Sequence, residues 1–166
     1  MSIDGGTPLL AGSMRRTFGF AAPRWRVFEA LTDEIDGWWC HRSEAESTIV
    51  FEGVLGGRLL ERAVEEITVL GVVSAFERPS TIRLEGQLLL PRSVASVVTF
   101  EVQGETGAGL AVTHEWRGDR LIKPSALRHS WGELLGGCLR EYVDAGSPGV
   151  GREWGATYPM ASAIVE

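Results

Sequence analysis

The chain has 166 residues, 44% of them hydrophobic and 23% charged, with a formal net charge of −6. That length builds one substantial core but not two ordinary domains, and no apolar run approaches the ~18 residues of a membrane helix. Acids and bases are interspersed and lack the basic stripe that phosphate-backbone binding requires, so neither nucleic acid nor a membrane is an expected partner.

Residues Met1 to Ser13 contain Leu9 and Leu10 but no basic stretch leading into a sustained apolar segment. They read as a flexible leader rather than a secretory signal, which makes a soluble, cytoplasmic protein the expectation. One domain is expected over 14–146. It is followed by an extension over 147–166 that carries Trp154, Tyr158 and Met160 without periodicity.

Within the domain the first strand is predicted at Arg15 to Phe20. Pro23 then suits the first turn of a helix, where its missing N–H costs little, and Val27, Phe28 and Leu31 fall on one helical face. Thr32, Asp33 or Asp36 supplies a cap for a second helical turn ending in Trp38-Trp39, with Gly37 breaking the regularity. From Thr48 to Arg117 the pattern changes to period two. It predicts strands near Thr48 to Glu52, Arg58 to Val64, Thr68 to Glu77, Thr81 to Gly86, Val94 to Gln103 and Leu110 to Arg117. The breaks carry Gly56-Gly57, Glu65-Glu66, Arg78-Pro79-Ser80, Pro91-Arg92 and Gly104 through Gly109, most of which favour turns or remove a ladder donor.

Two of these strands declare their faces. Val98, Phe100 and Val102 alternate with Thr99, Glu101 and Gln103, while Leu110, Val112, His114 and Trp116 share one side of their strand. An antiparallel sheet must cover such an apolar face. The cover is a helix in which Leu127, Trp131, Leu134, Leu135, Cys138, Leu139, Tyr142 and Val143 recur at helical spacing. Ser125, or Ser130 with Glu133 as a capping box, marks its start, and Gly146 and Pro148 its stop. The fold class is therefore α+β, a curved antiparallel sheet around a long C-terminal helix with a largely apolar cavity between them. Cys40 and Cys138 lie far apart and outside any C-x-x-C spacing, so they are expected as free, partly buried thiols rather than a zinc site or a disulfide framework.

Several motifs recur in this order. Pro23, Val27, Phe28, Ala30, Leu31 and Thr32 precede Trp38-Trp39; Leu55-Gly56-Gly57-Arg58 enters a strand; Gly71 through Val73 to Pro79 leads to Ile82 and Leu84; Ser130-Trp131 opens the segment to Leu139. Together they resemble the START and birch-pollen-allergen superfamily, also called SRPBCC, and within it the bacterial branch homologous to the activator of the heat-shock-protein-ninety ATPase. The resemblance covers about Met14 to Gly146, with Ser130 where that branch has glycine. Gly132, Gly136 and Gly137 lower the propensity of this helix and either let it approach the sheet closely or widen the cavity.

The resemblance implies a helix-grip fold that binds a hydrophobic or amphipathic small molecule between sheet and helix, without a cofactor. It also admits a polyketide cyclase or dehydratase-like enzyme, or a co-chaperone or other protein-interaction module. Trp38, Trp39, Leu59, Phe100, Val112, His114, Trp116, Trp131, Leu135 and Cys138 are the expected lining. His114 shares a face with Val112 and Trp116, where it orients a ligand, acts as a general base, or is a hydrogen-bonded core histidine. Glu61 is a second candidate for proton transfer if it points inward with Leu59; on a strand that carries Arg58 and Arg62, a solvated edge position is the simpler expectation. Trp38, Trp39 and His41 are placed at the cavity mouth, with core packing beneath the helix pair the alternative for at least one of the tryptophans, and His129 near the start of the long helix. Nothing in the spacing of His41, His114 and His129 demands a metal. No nucleophile elbow or phosphate-cradling loop is present in its required context. Leu88-Leu89-Leu90-Pro91 reads as a lid, a subunit contact or a continued strand, and with the Trp154 to Met160 tail is a candidate homodimer surface.

Overall fold

A computed structural model describes residues 10–145 and 164–165. β1 (Leu10–Gly19) leads into α1 (Arg24–Thr32) and a 3-10 turn (Ile35–Gly37). There follow β2 (Thr48–Phe51), β3 (Arg58–Arg62), β4 (Ile67–Glu77), β5 (Thr81–Gly86), β6 (Val94–Gln103), β7 (Gly109–Gly118) and a short β8 (Leu121–Ile122). The C-terminal helix has three consecutive parts: α2 (Pro124–Trp131), a π-helical segment (Gly132–Leu139) and α3 (Arg140–Ala145). A last short strand, β9 (Ile164–Val165), pairs antiparallel with β8, so part of the expected extension returns to the domain. Among the described residues no helix is long and apolar enough to cross a membrane. Gly146, Pro148 and the Trp154 to Met160 tail lie outside the described residues.

Strands β2 to β7 form a continuous antiparallel meander, and β1 closes the sheet beside β7, giving the order β1-β7-β6-β5-β4-β3-β2. β1 begins at Leu10, five residues before the strand expected from the sequence, because it pairs with β7 along its whole length, from Leu10 opposite Gly118 to Gly19 opposite Gly109. Leu10 and Ala11 are exposed and show no inward alternation, which is why the pattern did not reveal them. Two register shifts on β4, at Leu59/Leu60 against β3 and at Val73/Ala75 against β5, bend the strand where the sheet curves. The free edge of β1 is covered by arginines of the helix. Arg128 donates to the carbonyl of Arg15 at 2.7 Å and Arg140 to that of Gly19 at 3.1 Å, so ladder acceptors are satisfied without inviting another strand.

The helix lays Leu127, Trp131, Leu134, Leu135, Cys138 and Leu139 on the inner face of the sheet, all essentially inaccessible to solvent. It starts at Pro124, with Lys123 extended at the N-cap, so neither Ser125 nor Ser130 caps it; Pro supplies the helical φ and has no N–H to satisfy. Ser130 instead donates back to the carbonyl of Ala126 at 3.2 Å. Thr32 likewise bonds the carbonyl of Phe28 from inside α1 at 2.9 Å, and the 3-10 turn has no side-chain cap. The glycines permit close approach: a Cβ at Gly136 would lie 3.1 Å from the Phe18 ring, and one at Gly132 would meet the Arg16 guanidinium.

Leu88 to Leu90 are buried in a turn, with Leu89 in the left-handed region at φ 61°. They plug one end of the core. The subunit-contact and continued-strand readings of this segment are corrected: its leucines are spent on the protein's own core, and the backbone turns at Gln87, whose carbonyl accepts from the Leu90 N–H at 3.0 Å.

Candidate functional site

Strand pairing sets His114 of β7 between Met14 of β1 and Val98 of β6, pointing to the inner face. Phe100 and Val112 are opposite one another in the next inward row, and Trp116 follows in β7. From the helix, Trp131 meets this group where α2 passes into the π segment. Its ring stands edge-on to Phe100 at 5.6 Å and at a steep tilt to His114 at 5.9 Å, while Trp116 stands edge-on to the other side of His114 at 5.9 Å. The structure thus brings together Phe100, Val112, His114, Trp116 and Trp131 from the expected lining.

The Trp131 indole N–H donates to Nδ1 of His114 at 3.2 Å. Nδ1 is therefore the acceptor nitrogen, and the neutral ring carries its proton on Nε2. That N–H is buried and has no hydrogen-bond partner among the described residues. Burial pushes the pKa of His114 down to about 3, which keeps the imidazole neutral across the physiological range.

The space around His114 is closed. Val112, His114, Trp131 and Leu135 have no exposed surface, so no water-sized void borders these four, in contrast to the apolar cavity expected between sheet and helix. A groove of about 860 Å³ runs along β1, β7, β6 and the end of β5, lined by residues such as Ser13, Val97, Arg117, Glu85 and, from the expected lining, Trp116; a smaller one of about 340 Å³ is lined by residues such as Thr17, Glu101 and Ala111.

The remaining expected lining residues are dispersed. Leu59 is on β3, three strands from β6 in the sheet order. Trp38 and Trp39 are fully buried, with rings 5.5 Å apart, and spend their indole N–H groups on the carbonyls of Ala30 at 2.6 Å and His41 at 3.0 Å. His41 is largely buried, which lowers its pKa to about 4, and His129 is exposed. Cys138 is joined to Cys40 by a disulfide that closes a sequence separation of 98 residues, correcting the expectation of free thiols. Wide spacing conceals such a pair: the loop after Trp39 and the buried face of the helix meet only in the folded chain.

Glu61 is buried beside Leu59 rather than solvated. Its carboxylate accepts from the Ser43 N–H at 2.7 Å, the Ser43 hydroxyl at 3.0 Å and the Ser47 hydroxyl at 2.5 Å. Arg42, also buried, donates to the Ser47 carbonyl at 2.5 Å and pairs with Asp36 at 2.7 Å. Asp36 in turn accepts the Ile49 N–H at 2.8 Å. The carboxylate of Glu61 thus fastens the 40–47 loop to β3 and is committed to loop geometry, a network whose loop members carry no periodic signal in the sequence.

No protein-family model matches the chain, and no curated protein matches it in sequence. Solved structures do. The Aha1 dimer from Colwellia psychrerythraea is 18% identical with a TM-score of 0.60, the match covering 81% of this chain and 98% of that one. CalU16 from Micromonospora echinospora is 18% identical with a TM-score of 0.56 over 80% and 74% of the two chains. PFC0360w, an HSP90 activator from Plasmodium falciparum, is 17% identical with a TM-score of 0.54 over 78% and 92%. At these identities the likeness establishes the fold: a helix-grip arrangement of seven-stranded antiparallel sheet and long C-terminal helix, as the sequence motifs implied.

Proposed function

We propose that this protein binds a small, neutral, largely apolar molecule in the seam between β6, β7 and the π-helical segment, and that the molecule accepts one hydrogen bond from Nε2–H of His114. The observation that carries this reading is the buried N–H without an acceptor. Leaving such a donor unsatisfied costs about 1–3 kcal/mol, and a ligand oxygen would recover it. A second local cost lies beside it: the helix is π-helical from Gly132 to Leu139 and carries three glycines there, a poor way to build a helix and a form that recurs at functional sites. Two departures from the most stable choice at one place are what a site that must open contributes to a fold.

The surrounding rings favour a flat or apolar body, and a histidine that stays neutral favours an uncharged acceptor such as a carbonyl. The same features weigh against proton transfer by His114. Its Nδ1 is engaged by Trp131, its Nε2 already bears a proton, and its pKa of about 3 makes it a poor base near neutrality. Because the seam is closed without a ligand, entry requires displacement of the π segment, which makes this a cryptic pocket.

Thermal-shift screening with uncharged carbonyl compounds of apolar and aromatic character tests the proposal, followed by amide hydrogen exchange. A binder should raise the melting temperature of the parent but not of His114→Leu, and should slow exchange across 132–139. A screen without binders, or a binder indifferent to His114→Leu, would remove the reading.

A further inference from the structure

The outer face of the sheet changes character from one side to the other. On β1, β7 and β6 it carries Ser, Thr, Ala, Glu, Gln and Arg, with Val97 the one large apolar side chain among them. Around β4 it is apolar and open: Val54, Leu55, Val64, Ile67, Val69 and Val72 are 41–81% exposed. Ile67, Val69 and Val72 lie on β4 itself. The β2–β3 turn, tied to β4 by the Gly56 N–H to the Val73 carbonyl at 2.8 Å, adds Val54 and Leu55 at one end, and the β3–β4 turn adds Val64 at the other. A contiguous exposed patch of this kind marks an interaction surface.

The charges around the patch indicate what covers it. Arg58 is paired with Glu52 at 2.8 Å and Arg92 with Glu66 at 3.7 Å. The side chains of Arg62 and Glu85 take part in no ion pair or hydrogen bond among the described residues, and they sit on opposite flanks of β4: Arg62 on β3 opposite Ile67, Glu85 on β5 opposite Val72. A two-fold axis lying in the plane of this face, passing near Val69 and perpendicular to the line from Arg62 to Glu85, exchanges these two positions. A second copy laid face to face on that axis therefore sets Arg62 of each protomer toward Glu85 of the other, while Val69 and its neighbours bury one another. That is the self-complementarity an isologous interface requires. An anionic lipid surface is a poorer fit, because Glu52, Glu65, Glu66 and Glu85 ring the same patch.

We propose that this face, centred on Val69, is the interface of a two-fold symmetric homodimer in which Arg62 and Glu85 form reciprocal ion pairs between protomers. The proposal is independent of the small-molecule reading. Sedimentation equilibrium of the full chain, from low micromolar to submillimolar concentration, should show a monomer–dimer equilibrium. Val69→Asp should abolish the dimer, and circular dichroism should show it folded. Since a core effect also acts through Val69, the charge variants decide the geometry: Arg62→Glu alone and Glu85→Arg alone should each weaken association about tenfold, the Arg62→Glu/Glu85→Arg double variant should regain it, and at concentrations where the parent is monomeric these exposed positions should leave melting unchanged. A monomer at every concentration would overturn the proposal, as would a dimer insensitive to the single charge reversals. A parent that stays monomeric but sediments with phosphatidylcholine vesicles would likewise overturn it in favour of a lipid surface.

Discussion

Trp131 and His114 divide one hydrogen bond between helix and sheet in a way that leaves a second unmade: the indole takes Nδ1, and the imidazole's own N–H on Nε2 faces the core without an acceptor. The pair joins the start of the π segment to the middle of β7, so its chemistry and the helix geometry belong to one site.

His114→Leu should be unusually mild. The substitution strands the Trp131 N–H, at about 1–3 kcal/mol, but removes an unsatisfied donor of similar cost and adds apolar contact. Urea unfolding should place it within about 1 kcal/mol of the parent. A loss of about 3 kcal/mol or more would show that Nε2–H has a partner in solution.

Stability should fall with acid between pH 6.5 and 4. The folded pKa values of His114 and His41 are depressed to about 3 and about 4, so over that window the unfolded chain binds protons that the folded chain does not. Stabilisation is then complete above the unfolded value near 6.5 and declines as pH drops, by about 1.4 kcal/mol per pH unit for each histidine. Urea midpoints at a series of pH values measure the slope, and His114→Leu should reduce it by about half; an unchanged slope would mean that His114 is not buried neutral.

Reducing Cys40–Cys138 should destabilise the fold strongly. Closing a loop of 98 residues restrains the unfolded chain by about 4–5 kcal/mol in the chain-entropy account, which corresponds to a melting temperature lower by roughly 10–15 °C. Thiol titration of the native, unreduced protein should find no free cysteine. Titration of two thiols, or a melt unaffected by reductant, would contradict the bridge.

Glu61→Ala should cost about 2–4 kcal/mol, since it strips the Ser43 N–H and hydroxyl of their acceptor and leaves the Ser47 hydroxyl only the Glu44 carbonyl. Glu61→Gln keeps a carbonyl oxygen there and should lose less. Equal losses for the two would mean that the oxygen is not what holds the loop.

Two glycines of β1 should respond oppositely to alanine. A Cβ at Gly12 would lie 2.5 Å from the Trp116 ring, whereas one at Gly19 meets nothing within 4 Å. Gly12→Ala should destabilise by about 1–3 kcal/mol through overpacking, while Gly19→Ala should be neutral or stabilising by a few tenths. Thermal melts of the two variants compare them directly.

Period-two alternation located β2 to β7 in the sequence, and helical spacing located the residues that the C-terminal helix buries, because both signals repeat over distances shorter than the elements themselves. The inward face of β7, with His114 between Val112 and Trp116, was legible for the same reason. Glu61 was only half legible: alternation offered the inward position, but nothing local could supply the Ser43 and Ser47 donors that make burial tolerable.

The sequence by itself determined which faces are apolar, and therefore that a bent sheet must close on one long helix. Only the tertiary structure decided that the seam is filled, that the helix is π-helical over its glycines, that Cys40 reaches Cys138, and that one histidine nitrogen is used while the other is not. Those outcomes depend on pairs brought together across long stretches of chain. Their distances are set by packing every side chain at once, and no repeat along the sequence encodes them.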